Sequence, residues 1–449
     1  MSLTKRLGLI VGAAASLSSA MAQSAMDQSR AYQNELFSDS ARQVNKQGGG
    51  AFSVKVGGYE QVRFSLNSRD DNTLDNDMAW GFSNARTRLN FSGNVFSEDW
   101  GYFIQVGFGD DTAVGTPPAA GGTNSGTTNF GLGLEDAFIT YNMGNGWGMK
   151  VGQFKLPFLR EELVGDTEQL AVDRSVTNSA FTQGRSQGLQ FSYAQESFRF
   201  MGAFSDGLRT ANTDYVSPAE ADFALTARGE FMWSGAWSQA DGGFTSWQNQ
   251  NFFGMVGAAF HYQAGGNSFN TGEGTVGPGF PSSNPSDFDI WGVTADVTVK
   301  GNGWNAFGAF VYTSTDGGNP GVGVVPYPGT GTPGGANAPS MDDFGIVLQG
   351  GVFVDAQWEL FGRVDMIFPD SSRTPAGSPV KFDDEMTTLT FGVNHYISPN
   401  SHAAKFTAQL QYFLDKQATG IAPASTLHGL LGSAEDPQWT ITAQLQLVF

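Results

Sequence analysis

Apolar and polar residues alternate along most of this chain. Val62, Phe64 and Leu66 share one parity, and Gln61, Arg63 and Ser65 the other. The next repeat is longer: Ala85, Thr87, Leu89, Phe91, Gly93 and Val95 fall on one face, and Asn84, Arg86, Arg88, Asn90, Ser92 and Asn94 on the opposite one. A period of two is that of a strand with unlike faces. The rhythm recurs about sixteen times, with centres near Val62, Leu89, Ile104, Ile139, Val151, Phe191, Phe200, Ala227, Val256, Val293, Ala309, Leu348, Leu360, Phe391, Leu410 and Leu445. Long polar loops near 67–81, 110–132, 156–186, 206–221, 263–288, 314–342, 368–385 and 415–437 all follow odd-numbered strands. Most turns after even-numbered strands are short; Ser234 to Gln250, with Trp237 and Trp247, is the exception. This asymmetry predicts an all-β fold, a transmembrane antiparallel β-barrel with long extracellular loops and short periplasmic turns.

The third long loop stands apart. Alternation stops after Val151-Gly152-Gln153-Phe154 and resumes at Leu189, Phe191 and Tyr193. The interval, about Leu156 to Arg185, is rich in charge: Lys155, Arg160, Glu161, Glu162, Asp166, Glu168, Asp173, Arg174 and Arg185. A strandless stretch of that length inside a compact β domain is usually functional. It is expected to fold into the lumen as a constriction loop and to set what passes.

Composition agrees with a barrel. Of the 449 residues, 15% are charged and 13% aromatic. Beyond the N-terminus no apolar run approaches the roughly eighteen residues that a spanning helix needs. A soluble propeller or a pair of sandwiches would also alternate. Three features oppose that: a continuous apolar face in every strand, aromatics at strand ends (Trp100, Tyr102, Tyr141, Trp147, Trp233, Trp291, Trp304, Trp358 and Trp439), and arginines in mid-strand, which a dry core does not tolerate unpaired. In the last strand Trp439, Ile441, Ala443, Leu445, Leu447 and Phe449 share a face opposite Thr440, Thr442, Gln444 and Gln446. An aromatic terminus of this kind suits a bacterial outer-membrane barrel.

The N-terminus reads as a secretory signal over residues 1–22. Lys5 and Arg6 precede an apolar core from Leu7 to Leu17, and Ala20-Met21-Ala22 offers a cleavage site. Residues 23–50 are polar and end in three glycines, which suggests a periplasmic extension and linker. Residues 51–449 form the barrel domain. The net charge is −19, and loss of the signal makes the chain more acidic still, which disfavours nucleic acid as a partner. There is no cysteine, hence no disulfide framework and no thiolate chemistry.

Arg63, Arg86, Arg88, Arg199, Arg228 and Arg363 all oppose the apolar face. A cation facing lipid at the bilayer midplane costs roughly 2–4 kcal/mol, so these six should line the pore. They would form either an anion-guiding wall or internal salt bridges with Glu230, Glu359 and Asp365 on the same face. The loop acids, set across from such a wall, would create a transverse field that favours polar solutes. Glu60 falls on the lipid-facing parity; a bulge, a later strand start or a subunit contact would each account for it. Asp70, Asp71, Asp75 and Asp77 lack EF-hand spacing and read as a solvated loop, so no metal site is expected. His261, His395, His402 and His428 lie far apart, and no nucleophile elbow, HExxH or Walker loop is present. Neither an enzyme nor a cofactor is expected.

Several segments together resemble the phosphate-selective porin O and P family: Asn84 to Gly93, Asp136-Ala137-Phe138, Val151 to Phe158 with its GQFK-x-PF, Asp173-Arg174-Ser175, Phe204 to Gly207 and Gly392 to Tyr396. The resemblance implies a sixteen-stranded homotrimer with a third loop in the lumen and arginines along the path. The strong acidity departs from anion-selective members, whose paths are rich in Arg and Lys. The expectation is an outer-membrane porin, embedded in outer-membrane lipid, that passes small hydrophilic solutes or ions by diffusion, with a preference for anions or phosphate through its arginines. The alternative is a structural or adhesive barrel whose lumen is plugged.

Overall fold

In a computed structural model, residues 52–69, 78–108, 132–215, 217, 220–264, 289–316, 340–370, 385–415, 425–431 and 437–449 are described. The signal, the extension and the Asp70–Asp77 cluster lie outside them. Sixteen strands form one closed antiparallel barrel: β1 (Lys55–Arg69), β2 (Met78–Val95), β3 (Ser97–Phe108), β4 (Gly133–Gly144), β5 (Trp147–Lys155), β6 (Arg185–Ala194), β7 (Phe198–Ser205), β8 (Phe223–Ser234), β9 (Phe253–Ala264), β10 (Asp289–Gly301), β11 (Trp304–Asp316), β12 (Met341–Phe353), β13 (Trp358–Phe368), β14 (Met386–Tyr396), β15 (Ala404–Phe413) and β16 (Gln438–Val448). Every strand centre read from the alternation falls inside one of these strands.

Each strand pairs with its sequence neighbours, and β16 closes onto β1 from Tyr59↔Val448 to Arg69↔Gln438. Closure leaves no edge strand whose backbone groups would face lipid unpaired. The last residue takes part: Gly58 and Phe449 exchange both backbone hydrogen bonds at 2.9 Å. A Cβ on Gly58 would meet the backbone oxygen of Arg88 at 2.4 Å and the Phe449 ring at 2.9 Å, so only glycine fits there.

The faces sort as the alternation demands. In β16, Ile441, Leu445 and Leu447 are exposed on the outer face while Thr440, Thr442, Gln444 and Gln446 are buried. Aromatic pairs sit near strand ends: Trp100 with Tyr141, Trp147 with Tyr193 and Trp291 with Tyr312, their ring centres 4.5–5.2 Å apart. Amphipathic rings favour the depth of the lipid headgroups.

Three local departures need correction. The register of β1 with β2 skips Ala85, since Gln61 faces Arg86 and Val62 faces Asn84. This bulge puts Asn84 on the outer parity with Trp80 and Phe82, and Ala85 is buried rather than lipid-facing. Ser97, Glu98 and Asp99 belong to β3, and the turn before them narrows to Phe96, whose φ is 65°. Glu60 sits in regular pairing between Thr87 and Leu447, well inside β1. It therefore lies on the outer face, and neither a later strand start nor a bulge in its own strand accounts for it.

Candidate functional site

Between β5 and β6 the chain leaves the wall and crosses the barrel. Pro157 cannot continue the strand ladder. The base of the excursion is closed by the Leu156 amide donating to the Gly184 carbonyl at 3.0 Å. The crossing segment holds α1 (Arg160–Leu163), a single 3-10 turn at Asp166–Glu168, and α2 (Val176–Phe181). Ser175 caps α2 by accepting from the Asn178 amide at 2.9 Å.

Apolar side chains seat the segment on the far wall. Phe158, Leu159, Val176, Ala180 and Phe181 cluster with residues of β9, β11, β13, β14 and β15, among them Val311, Ile367 and Phe413. Val164, Leu170 and Ala171 pack against Phe307, Val347 and Phe361. The inner face of β11 to β13 is thus partly apolar, where alternation alone leads one to expect a polar lumen.

All six arginines point inward, and each meets carboxylates. Arg63 lies 3.4 Å from Asp173, and Arg86 reaches Asp173 at 3.0 Å and Asp166 at 3.6 Å. Arg88 pairs with Glu135 at 3.1 Å. Arg199 and Arg228 share Glu230, at 3.0 and 2.8 Å, and reach in addition Asp241 and Asp296, both at 2.8 Å. Arg363 is 3.5 Å from Glu161 and 3.7 Å from Asp365. Of the two roles the sequence leaves open, the geometry is that of internal ion pairs. Glu230 and Asp365 take part. Glu359 does not; it accepts from Asn305 at 2.9 Å, Asn394 at 3.2 Å and Tyr396 at 2.5 Å. The reason is the narrow space: a buried guanidinium without a partner would be far more costly than a paired one.

The loop acids likewise touch the wall instead of facing it across a gap. Asp173 bridges Arg63 and Arg86. Arg174 pairs with Asp166 and Glu162 and donates to the Val164 carbonyl at 2.7 Å. Glu161 accepts from the Ser175 amide at 2.7 Å and its hydroxyl at 2.6 Å. Lys155 holds Glu162 at 3.1 Å, Arg160 is 4.0 Å from Glu230, and Arg185 spans Glu135 and Asp136 at 2.6 and 2.9 Å. Burial alone would raise the Glu162 carboxyl, yet Arg174 and Lys155 hold it at about 2. Asp166 and Asp173 are likewise held well below the carboxylate range, burial being outweighed mainly by Arg174 and Arg86 respectively. Glu168 is the exception: burial raises it despite the Thr167 hydroxyl.

A second segment enters from the periplasmic end. Between β8 and β9 the chain forms α3 (Trp237–Asp241) and then crosses this end of the barrel, where Ser246 donates to the Gly301 carbonyl and Gln248 to that of Asp355. Asp241 meets Arg199, and the Arg199 guanidinium lies 3.9 Å from the centre of the Trp237 ring. Trp247 packs edge-on to Tyr396 at 4.7 Å and beside His402 at 5.2 Å. Buried Lys300 donates to the carbonyls of Gln239, Gly243 and Thr245. Lys405 does the same for the crossing segment, at the carbonyls of Thr167 and Gln169. The two segments meet where the Phe244 amide donates to the Glu168 carbonyl at 3.3 Å. Gly243, at φ +79°, lets them touch, because a Cβ there would lie 2.2 Å from that of Glu168.

The extracellular side adds clamps. Arg209 donates to the carbonyls of Ser179 at 2.6 Å and Thr182 at 3.2 Å. Ser179 Oγ and His428 Nε2 are 2.6 Å apart, and Leu430 joins the apolar seat. His395 stacks on Trp358 at 4.3 Å, on the face opposite Asn394.

A cavity remains beside the crossing segment. The inner face of β3 to β8 lines it with Phe103, Phe138, Lys150, Gln190 and Arg199, together with the carboxylates of Asp136 and Glu230. Lys150, Lys300 and Lys405 are absent from the residues picked out by sequence. A lysine on the polar parity of a strand is the one signal that could have found them.

The model of the phosphate-selective porin O and P family matches residues 54–299. No curated protein matches the chain. Among solved structures, the anion-selective porin from Comamonas acidovorans is 12% identical with a TM-score of 0.52, covering 89% of this chain and 100% of its own. The outer membrane channel DcaP of Acinetobacter baumannii is 14% identical with a TM-score of 0.51, covering 91% and 100%. The outer-membrane expressed OmpT of Vibrio cholerae is 11% identical with a TM-score of 0.50, covering 90% and 99%. At these identities the likeness is one of fold.

Proposed function

We propose that this chain, which belongs to the phosphate-selective porin O and P family, prefers anions among the small hydrophilic solutes it conducts, and that the segment 156–184 narrows their path from one side. That it is an outer-membrane porin channel follows from the family and the closed sixteen-stranded barrel. The anion preference is the finer step. The observation that supports it is the cavity between the crossing segment and β3 to β8, taken as the solute path: its arginines are paired with carboxylates, while the wall lysine Lys150 lies over aromatic rings instead. Solutes therefore travel close to fixed charge in a confined, low-dielectric space, where a single charge weighs heavily.

In this reading residues 1–22 are removed on export, residues 23–50 remain in the periplasm, and residues 51–449 sit in outer-membrane lipid. Three copies assemble as in the family. Glu60 supports a subunit contact, because a carboxylate on the outer face is poorly accommodated by lipid.

A plugged anchor is the second reading, favoured by the packing of segments 156–184, 235–252 and 425–431 against one another and the far wall. Planar-bilayer recording of purified protein separates the two. Conductance steps in threes, with an anion-preferring reversal potential in a KCl gradient, are expected. Steps with cation preference would overturn the anion preference and keep the porin; folded, heat-modifiable protein without steps would leave the anchor.

A further inference from the structure

Lumenal charge in this barrel is grouped into closed networks. Arg160, Arg199 and Arg228 meet Glu230, Asp241 and Asp296. Arg88 and Arg185 meet Glu135 and Asp136. Around Asp173 and Arg174 the crossing segment and the wall match cation for carboxylate in the same way. Such networks present little net charge to a passing ion, however many arginines they contain.

Lys150 stands outside them. It lies on the inner face of β5, part-exposed in the wall of the cavity. Its ammonium sits over two aromatic faces, 4.7 Å from the centre of the Phe138 ring and 5.2 Å from that of Phe154. Among the described residues no carboxylate oxygen comes within 4.0 Å of it. The acid whose charge acts on it is Asp136, which is already engaged by Arg185. Aromatic faces fix the position of a cation without cancelling its charge. A lysine in such a place is a compact point charge on a flexible stem, able to meet an anion and to release it, as conduction requires.

We infer that Lys150 is the residue that biases this channel toward small anions such as chloride and inorganic phosphate, and that the conspicuous arginines are structural. The inference rests on the porin reading. It is tested by reversal potentials in a KCl gradient for wild-type protein, Lys150→Arg, Lys150→Gln, Lys150→Met and, as a distant control, Lys55→Gln at the exposed start of β1. Lys150→Met retains the apolar stem between the two rings if the amide variant folds poorly. The expected result is that wild type, Lys150→Arg and Lys55→Gln agree, while both neutral variants lose roughly tenfold in the chloride-to-potassium permeability ratio, because one charge ~6 Å away in a water-filled passage favours chloride about threefold and disfavours potassium about threefold. The chain has no cysteine, so Lys150→Cys offers a single thiol. A cationic thiol reagent should restore the wild-type ratio, and an anionic one should push it further toward potassium. Open channels whose reversal potential is the same in the neutral variants as in wild type would overturn the assignment of Lys150 while leaving the porin intact. Folded wild-type protein without conductance would overturn both.

Discussion

The two segments that enter this barrel from opposite ends are held by different physics. The extracellular one, 156–184, is fixed redundantly by charge. Asp173 has two arginines, Arg174 two carboxylates, and the apolar seat on the far wall adds Phe158, Val176 and Phe181. The periplasmic one, 235–252, relies more on neutral hydrogen bonds and rings: Lys300 gathers three of its carbonyls, Trp237 and Trp247 supply the packing, and Asp241 adds its pair with Arg199. Carbonyls that converge on one cation are more exposed to a single substitution than charges shared among several partners.

The comparison can be broken at several points. The largest effect should come from excision. Replacing Leu159–Phe181 by a short Gly/Ser linker is expected to raise single-channel conductance several-fold, and replacing Ala236–Asn251 to raise it less, because Arg160 and Leu163 to Glu168 border the cavity while the second segment reaches it at Asp241. Equal conductance in the first deletion and wild type would show that 156–184 is not the constriction.

Next in size is Lys300→Met. Each buried carbonyl left without a donor costs about 1–3 kcal/mol. The variant should fold less stably and expose 235–252 to limited proteolysis while 156–184 stays protected. Arg63→Met should show no matching exposure of 156–184, since Arg86 still holds Asp173.

Acid should sharpen the contrast. Glu162 is lowered from an ordinary value of 4.5 to about 2, so its contribution is complete at neutral pH and is lost only as the pH falls through that range. His428 is lowered from 6.5 to about 4, chiefly by burial and then by the arginines near Asp173. A histidine held neutral by the fold costs stability as the pH falls below 6.5. Between pH 6.5 and 4 the charged core of the crossing segment is therefore expected to hold while its contact at Ser179 loosens. Stability measured across that interval should decline in wild type and decline less in His428→Asn.

The smallest effect is at the cap. Ser175→Ala removes the acceptor for the Asn178 amide and a donor to the Glu161 carboxylate, and should cost about 2 kcal/mol in stability to denaturant, with conductance unchanged.

Much of this was legible in the chain. A period of two survives because each strand has one face on lipid and one on the lumen, and that difference is written residue by residue, as in Leu445 against Gln444 and Gln446. The arginines were legible as inward for the same reason. Their partners were not, since Asp173 lies 110 residues from Arg63 and no local rule joins them. The bulge at Ala85 was hidden because one extra residue leaves no mark in composition. The periplasmic segment left two tryptophans out of place as its trace.

The sequence by itself determined the barrel, its strand number, its lipid face and the segment that breaks the pattern, because these follow from local alternation and from the cost of polar backbone in a bilayer. Only the tertiary structure decided which charges cancel. Lys150 shares with the six arginines a positive charge on the polar parity of a strand; what sets it apart in the fold is that aromatic rings, and no carboxylate of the described residues within 4.0 Å, surround that charge.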